Sequence, residues 1–261
     1  MTVNVYQNLL GKDQIAELIN YFRLDDEYVD DRFDVRSKSP KWNDSWPNDA
    51  IKKQLKKILL PYKVETVIFN ESKISFRIHV DSDTGHNKLY KNVLIPLQFD
   101  GEASTVFFKN YWLKKSTRFS RTNISPFRYN MFDNKGEMIW VDDIRVLLEQ
   151  CKNNPTSVNN FTVSNQFISS LEDLIVKRNH ADDRTSDYSE VLYYDKSIEF
   201  DSDTHKKYLH HIPIEDLHGL TIDSIYSWNV GDIVIFDRTQ LHCAGAGHKI
   251  KLGLSLFLDV E

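Results

Sequence analysis

The chain has 261 residues, 41% of them hydrophobic and 27% charged, with a formal net charge of -5. This is the composition of a folded chain large enough to bury a full core, and its acidic balance argues against a dedicated nucleic-acid binder. Two cysteines, Cys151 and Cys243, exclude a disulfide framework and a cysteine-built zinc site.

The first residues, MTVNVYQNLLGKD, lack the basic and apolar regions of a signal peptide, and no apolar run reaches membrane-spanning length, so a cytoplasmic location is expected. Residues 11–23 place Ile15, Leu18, Ile19 and Phe22 at helical spacing, and NDAIKKQLKKILLP (48–61) predicts a second helix ended by Pro61. The stretch between them is polar and turn-rich. Strands are expected at 63–69, 74–81, 90–100 and 104–108. Residues 121–221 mix helical stretches, VDDIRVLLEQ and SNQFISSLEDLIVK, with polar loops. Strands return at 222–228, 232–237 and 250–260. Fifteen Phe and twelve Tyr against nine Gly favour a β-rich, aromatic core.

Two halves of β structure around a long insertion predict a mainly β protein with flanking helices. The core expected is a double-stranded β-helix, or jelly roll, of the cupin type. The division that follows is one catalytic domain, 1–261. It has an N-terminal helical region (1–62), a β core (63–120 and 222–261) and an insertion or lid (121–221).

The chemistry concentrates in two strands. In SFRIHVD, alternation puts Ser75, Arg77, His79 and Asp81 on one face, with Ile74, Phe76, Ile78 and Val80 on the other. The polar face is expected inside the barrel and the apolar face outward under a helix. Near the end, GDIVIFDRTQLH delivers His242, and the last strand puts Lys251, Gly253, Ser255 and Phe257 opposite Leu252, Leu254, Leu256 and Leu258. Two imidazoles and a carboxylate with open positions form the ligand set of non-haem Fe(II) oxygenases, whose cosubstrate carboxylate calls for a buried cation.

RIHVD, IPLQFDGEASTVFF and VGDIVIFDRTQLH with KLGLSLFL resemble the 2-oxoglutarate/Fe(II)-dependent dioxygenase superfamily, which includes prolyl hydroxylases and phytanoyl-CoA-hydroxylase-like enzymes. That resemblance implies that His79, Asp81 and His242 bind Fe(II) and that Lys251 holds the far carboxylate of 2-oxoglutarate. It also implies consumption of O2, release of succinate and CO2, and hydroxylation of a C–H bond in a peptidyl (for example prolyl) or small-molecule substrate. The carboxylate of Asp81 favours hydroxylation over halogenation. Many members carry Arg at the Lys251 position, and Gly253 stands where a Ser often follows. Arg77 is open between a cosubstrate contact and a structural ion pair. The alternative is a non-catalytic jelly-roll binding module.

Among the other histidines, His86 and His248 are weaker candidates for ligands, and His205, His210, His211 and His218 read as a solvated surface. Cys243 is expected to be a small buried residue pointing away from the metal. The acid-free, aromatic-rich segment 107–129 reads first as a solvated, strand-flanking loop whose aromatics belong to the core, and is also the best pointer to a rim of the substrate mouth. Its Arg118 and Arg121 point to an anionic or carboxylate-bearing substrate.

Overall fold

A computed structural model describes residues 3–24, 30–32, 35–40, 49–58, 62–73, 75–81, 91–113, 117–119, 129–136, 138–181, 185–186 and 188–260. The chain divides into two compact units. One is built from 1–117 and 189–261, the other from 118–188. No helix among the described residues is long and apolar enough to cross a membrane.

The elements run in order β1 (Asn4–Tyr6), α1 (Lys12–Arg23), β2 (Asp30–Arg32), β3 (Val35–Lys38), α2 (Asp49–Ile58), β4 (Tyr62–Ser72), β5 (His79–Val80), β6 (Lys91–Gly101), β7 (Ser104–Tyr111), β8 (Thr117–Phe119), β9 (Tyr129–Phe132), β10 (Met138–Val141), α3 (Ile144–Asn153), β11 (Ser157–Val158), β12 (Phe161–Thr162), α4 (Asn165–Ala181), β13 (Thr185–Ser186), β14 (Ile222–Ser227), β15 (Ile233–Asp237), β16 (Gln240–Ala244) and β17 (His248–Val260). The first unit is a double-stranded β-helix. Its larger sheet has the order β1-β15-β6-β17-β4-β3-β2, and its second sheet includes β5-β16-β7-β14, with antiparallel neighbours throughout.

Period-two alternation decides what each strand of the larger sheet does. Val67 and Phe69 of β4, Val93, Ile95 and Leu97 of β6, and Ile233 and Ile235 of β15 share one core. Leu252, Leu254, Leu256 and Leu258 of β17 join them there, with Ile15, Leu18 and Phe22 of α1 and Leu55 of α2. The helical stripe of α1 is thus the cover for one face of that sheet. The opposite face, with Val234 and Phe236 of β15, packs against Phe107 of β7 and Tyr226 of β14. The Phe107 and Phe236 rings meet at 4.8 Å.

Short connections carry the chain from one sheet to the other, at 102–103, 238–239 and 245–247. The first and third of these turns lean on one another. Gly101 has φ +82°, a Cβ there would lie 2.5 Å from the Gly247 carbonyl oxygen, and Glu102 donates its N–H to that oxygen at 3.1 Å. The Gly231–Asp232 lead-in is structural. The Asp232 carboxylate accepts from the Asn8 amide, the Asn229 side chain and the Tyr226 hydroxyl.

The second unit stands on α3 and α4, which bury Ile144, Leu147 and Cys151, and Leu171 and Leu174. Asp143 caps α3 by accepting from the Arg145 N–H. Phe119 and Tyr188 stack at 5.4 Å beside the parallel β8–β13 pair.

The strand expected at 74–81 is reduced to two residues, β5; 75–78 is irregular. The strands β2 and β3 form in the stretch read as polar and turn-rich, because they add to the edge of an existing sheet and need little apolar pattern of their own.

Candidate metal centre

β5 and β16 are register partners at one pair, His79 opposite His242. Cross-strand pairing is what joins two histidines 163 positions apart in the chain. Their ring centroids lie 4.3 Å apart. Each ring's Nδ1 sits against a backbone carbonyl two residues back, His79 on Arg77 at 2.7 Å and His242 on Gln240 at 3.0 Å. As the carbonyl accepts, Nδ1 carries the hydrogen and the Nε2 lone pair is left for a metal.

Asp81 completes the group. Its carboxylate lies 3.2 Å from His242 Nε2 and 3.7 Å from His79 Nε2, and the ligand atoms of His79, Asp81 and His242 all lie within 4.8 Å of one another. Among the described residues this is the one such cluster. Burial alone would raise the Asp81 pKa, but the charge and hydrogen bond of His242, then His79 and Arg238, hold it at about 2. The carboxylate is therefore ionised and fit to bind a cation.

Two residues that the sequence did not single out hold this aspartate. Arg238, in the turn between β15 and β16, donates its Nε to the Asp81 carbonyl at 3.0 Å, and its own carbonyl accepts the Asp81 N–H at 3.0 Å. Its Nη1 is anchored on Glu65 at 2.9 Å. Asn92 of β6, which is 2% exposed, donates its side-chain amide to Asp81 Oδ2. The signal for Arg238 was present in FDRTQLH, one residue past the strand. For Asn92 it was a lone polar residue inside the apolar run of β6.

One cavity holds the triad together with Asn92, Phe76, Trp228, Phe236, Lys251, Gly253, Ser255 and Phe257. The polar face expected of the last strand therefore lines this cavity, as its leucines line the core. Lys251 is 6% exposed, and among the described residues no carboxylate pairs with it. Its Nζ lies 5.2 Å from the Trp228 ring and 5.7 Å from that of Phe76. Burial pushes its pKa down to about 7, with Cys243 acting weakly the other way. Cys243 is itself buried, and burial pushes its thiol up.

Three expectations change. Phe76 lines the cavity instead of packing outward, because 75–78 is not a strand and the alternation does not run through it. Arg77 is not among the residues that line this cavity, and its backbone carbonyl accepts from the His79 ring. His211, read as solvated, is 2% exposed, and burial first, then His210, Lys251 and His248, lower its pKa to about 3. His248 is buried at the start of β17 and takes no part in the triad. His86 and Arg121, and the side chain of Arg118, lie outside the described residues. Trp112 is buried, and its N–H is bonded to the Thr239 carbonyl.

No family model and no curated protein matches the sequence. Among solved structures, the chain is similar to a Pseudomonas putida prolyl-4-hydroxylase, with a TM-score of 0.41 and 8% identity over 99% of this chain and 92% of that one. It is also similar to the epimerase SnoN in complex with Fe3+, alpha ketoglutarate and nogalamycin RO. There the TM-score is 0.43 and the identity 8%, over 98% of this chain and 78% of that one. EctD from S. alaskensis gives 0.41 and 9% identity over 99% and 72%. Likeness of this degree transfers no activity and no residue role, so function must be argued from the cavity itself.

Proposed function

We propose that this chain is an Fe(II)- and 2-oxoglutarate-dependent dioxygenase that hydroxylates a C–H bond of a peptidyl or small-molecule substrate. The observation that carries the reading is one cavity holding a two-imidazole, one-carboxylate group together with a buried lysine that has no acidic partner among the described residues. The donors fit the metal: two neutral nitrogens on neighbouring strands and one oxygen from the residue just past β5 leave the remaining positions open, as a bidentate cosubstrate and O2 require. The lysine fits the cosubstrate. A buried ammonium costs stability unless an anion meets it, and a dicarboxylate with one end at the metal brings its other end to such a cation.

When bound, the metal and cosubstrate supply oxidation: 2-oxoglutarate and O2 become succinate and CO2, and the second oxygen atom enters the substrate C–H bond. The protein's own residues bind, orient and shield. His79, His242 and Asp81 hold the metal. Asn92 and Arg238 fix the Asp81 carboxylate and backbone. Lys251 receives the far carboxylate, and Phe107 and Phe236 keep water off the His242 imidazole, their rings 6.1 and 4.8 Å from it. A non-catalytic module would have no use for the unpaired lysine beside a complete donor set.

The test is metal stoichiometry and succinate formation by anaerobically purified, Fe(II)-loaded protein. One Fe(II) per chain and succinate that depends on 2-oxoglutarate are expected, both lost in His242→Ala. Full iron occupancy in that variant, or no succinate from the wild type across peptide and small-molecule candidates, overturns the reading.

A further inference from the structure

Trp228 stands at the end of β14 and belongs to none of the motifs that point to the metal. Its indole N–H donates to Thr105 Oγ1 of β7 at 2.9 Å, so the ring's position is fixed by a buried hydrogen bond. Its far edge lies over Gly253. A Cβ built on that glycine would sit 3.0 Å from Trp228 Cη2 and 3.3 Å from Leu94 Cδ1, so the ring occupies space that any side chain at 253 would claim. The same ring faces the Lys251 ammonium at 5.2 Å, with Phe76 at 5.7 Å, both within cation–π range.

We infer that Trp228, seated on Gly253 and tied to Thr105, is the gauge of the cosubstrate pocket. It steers Lys251 and closes the end of the cavity, so that the pocket selects dicarboxylates of one length. This deepens the proposed function and rests on it. The physical reason lies in the kind of cation. A lysine is a point charge on a flexible stem, whereas an arginine brings a planar fork that fixes its own partner. A lone ammonium needs walls to define where its carboxylate ends, and here the walls are aromatic. Gly253 is then a requirement of the indole, and the absence of a hydroxyl at 253 is explained by what fills its place.

The test uses full-length protein with Mn(II) in place of Fe(II), which keeps binding separate from turnover. Calorimetry gives the affinities for 2-oxoglutarate and for 2-oxoadipate, one methylene longer. Gly253→Ala, which drives the ring into the cavity, should weaken 2-oxoglutarate at least about tenfold. Trp228→Phe, which shortens the wall, should move the 2-oxoadipate to 2-oxoglutarate affinity ratio up by about tenfold. Thr105→Val, which keeps the shape and removes the acceptor, should weaken 2-oxoglutarate by a smaller factor. Mn(II) affinity should stay at the wild-type value in all three, which also reports that they fold. Wild-type affinity and wild-type ratio in the variants overturn the gauge alone. A wild-type protein that takes Mn(II) and neither dicarboxylate overturns the proposed function and the gauge with it.

Discussion

A lysine buried without an anion should make the empty protein less stable than its packing allows, and replacing it should expose the cost. The Lys251 pKa falls from 10.5 to about 7 on folding. At ~1.4 kcal/mol for each pH unit, that is a destabilisation of ~5 kcal/mol at low pH, and still ~4 kcal/mol at pH 7. The sign follows from the protons. Between about 7 and 10.5 the unfolded chain holds a proton that the folded chain has released, so unfolding takes up a proton and stability rises with pH. His211, at about 3 in the fold, has finished its own titration effect below pH 7. The buried thiols of Cys151 and Cys243, raised above 9.0 by burial, oppose the rise only as pH approaches 9. The rise across the window from 7.5 to 9 therefore belongs to Lys251. Urea unfolding of the metal-free protein should show stability rising by ~1 kcal/mol across that window, ~2 kcal/mol from the ammonium less ~1 kcal/mol from the two thiols. In Lys251→Met, which fills the space between Phe76 and Trp228 with an apolar chain, the rise should vanish. The variant should also be the more stable protein at pH 7.5, while no longer binding 2-oxoglutarate. Parallel pH profiles in the two proteins would mean that the ammonium has a partner or water in the fold, and the argument for an awaited anion would fail.

Two further substitutions test the setting of Asp81. Asn92→Ala removes the amide that holds Oδ2 and should weaken Fe(II) or Mn(II) binding by about 10- to 100-fold, measured by calorimetry; unchanged affinity would assign Asn92 to the core alone. Arg238→Met removes the donors that meet the buried Asp81 and Leu258 carbonyls, so it should cost ~1–3 kcal/mol in urea unfolding and also weaken the metal. A stability loss with full metal affinity would show that the Asp81 backbone is held without the guanidinium.

The last strand was legible in full, since both its faces have uninterrupted partners. Its leucines meet the core under α1, and Lys251, Gly253, Ser255 and Phe257 meet the cavity. The triad was legible as residue types, because few arrangements other than a metal site call for His-x-Asp and a distant His beside a basic strand. Other features have no local signature. Phe76 was misplaced because alternation presumes an extended backbone, and the chain at 75–78 leaves it before β5 begins. His211 lies in a turn after a short polar helical stretch, and its burial is set by residues distant in sequence, with Lys251 and His248 of β17 and the Phe76 backbone beside it. Trp228 carries no motif, since its role arises from a glycine 25 positions later.

The site and the stability of this fold are written on opposite faces of the same strands. On β17 the core side is four leucines at 0–1% exposure, while the cavity side begins with a buried cation. On β6, Val93, Ile95 and Leu97 enter the core while Asn92 turns to Asp81. Fully burying one leucine contributes roughly 1.5–3 kcal/mol, so two or more of the β17 leucines are needed to offset one unpaired Lys251. The strand can carry the cation only because its other face is so apolar. Loss of activity from substitutions at Leu252 or Leu254 should therefore track loss of folded protein, whereas loss from Asn92, Trp228 or Gly253 should appear in binding while the fold persists. Comparing activity per folded molecule across the two faces separates what holds the cavity up from what the cavity does.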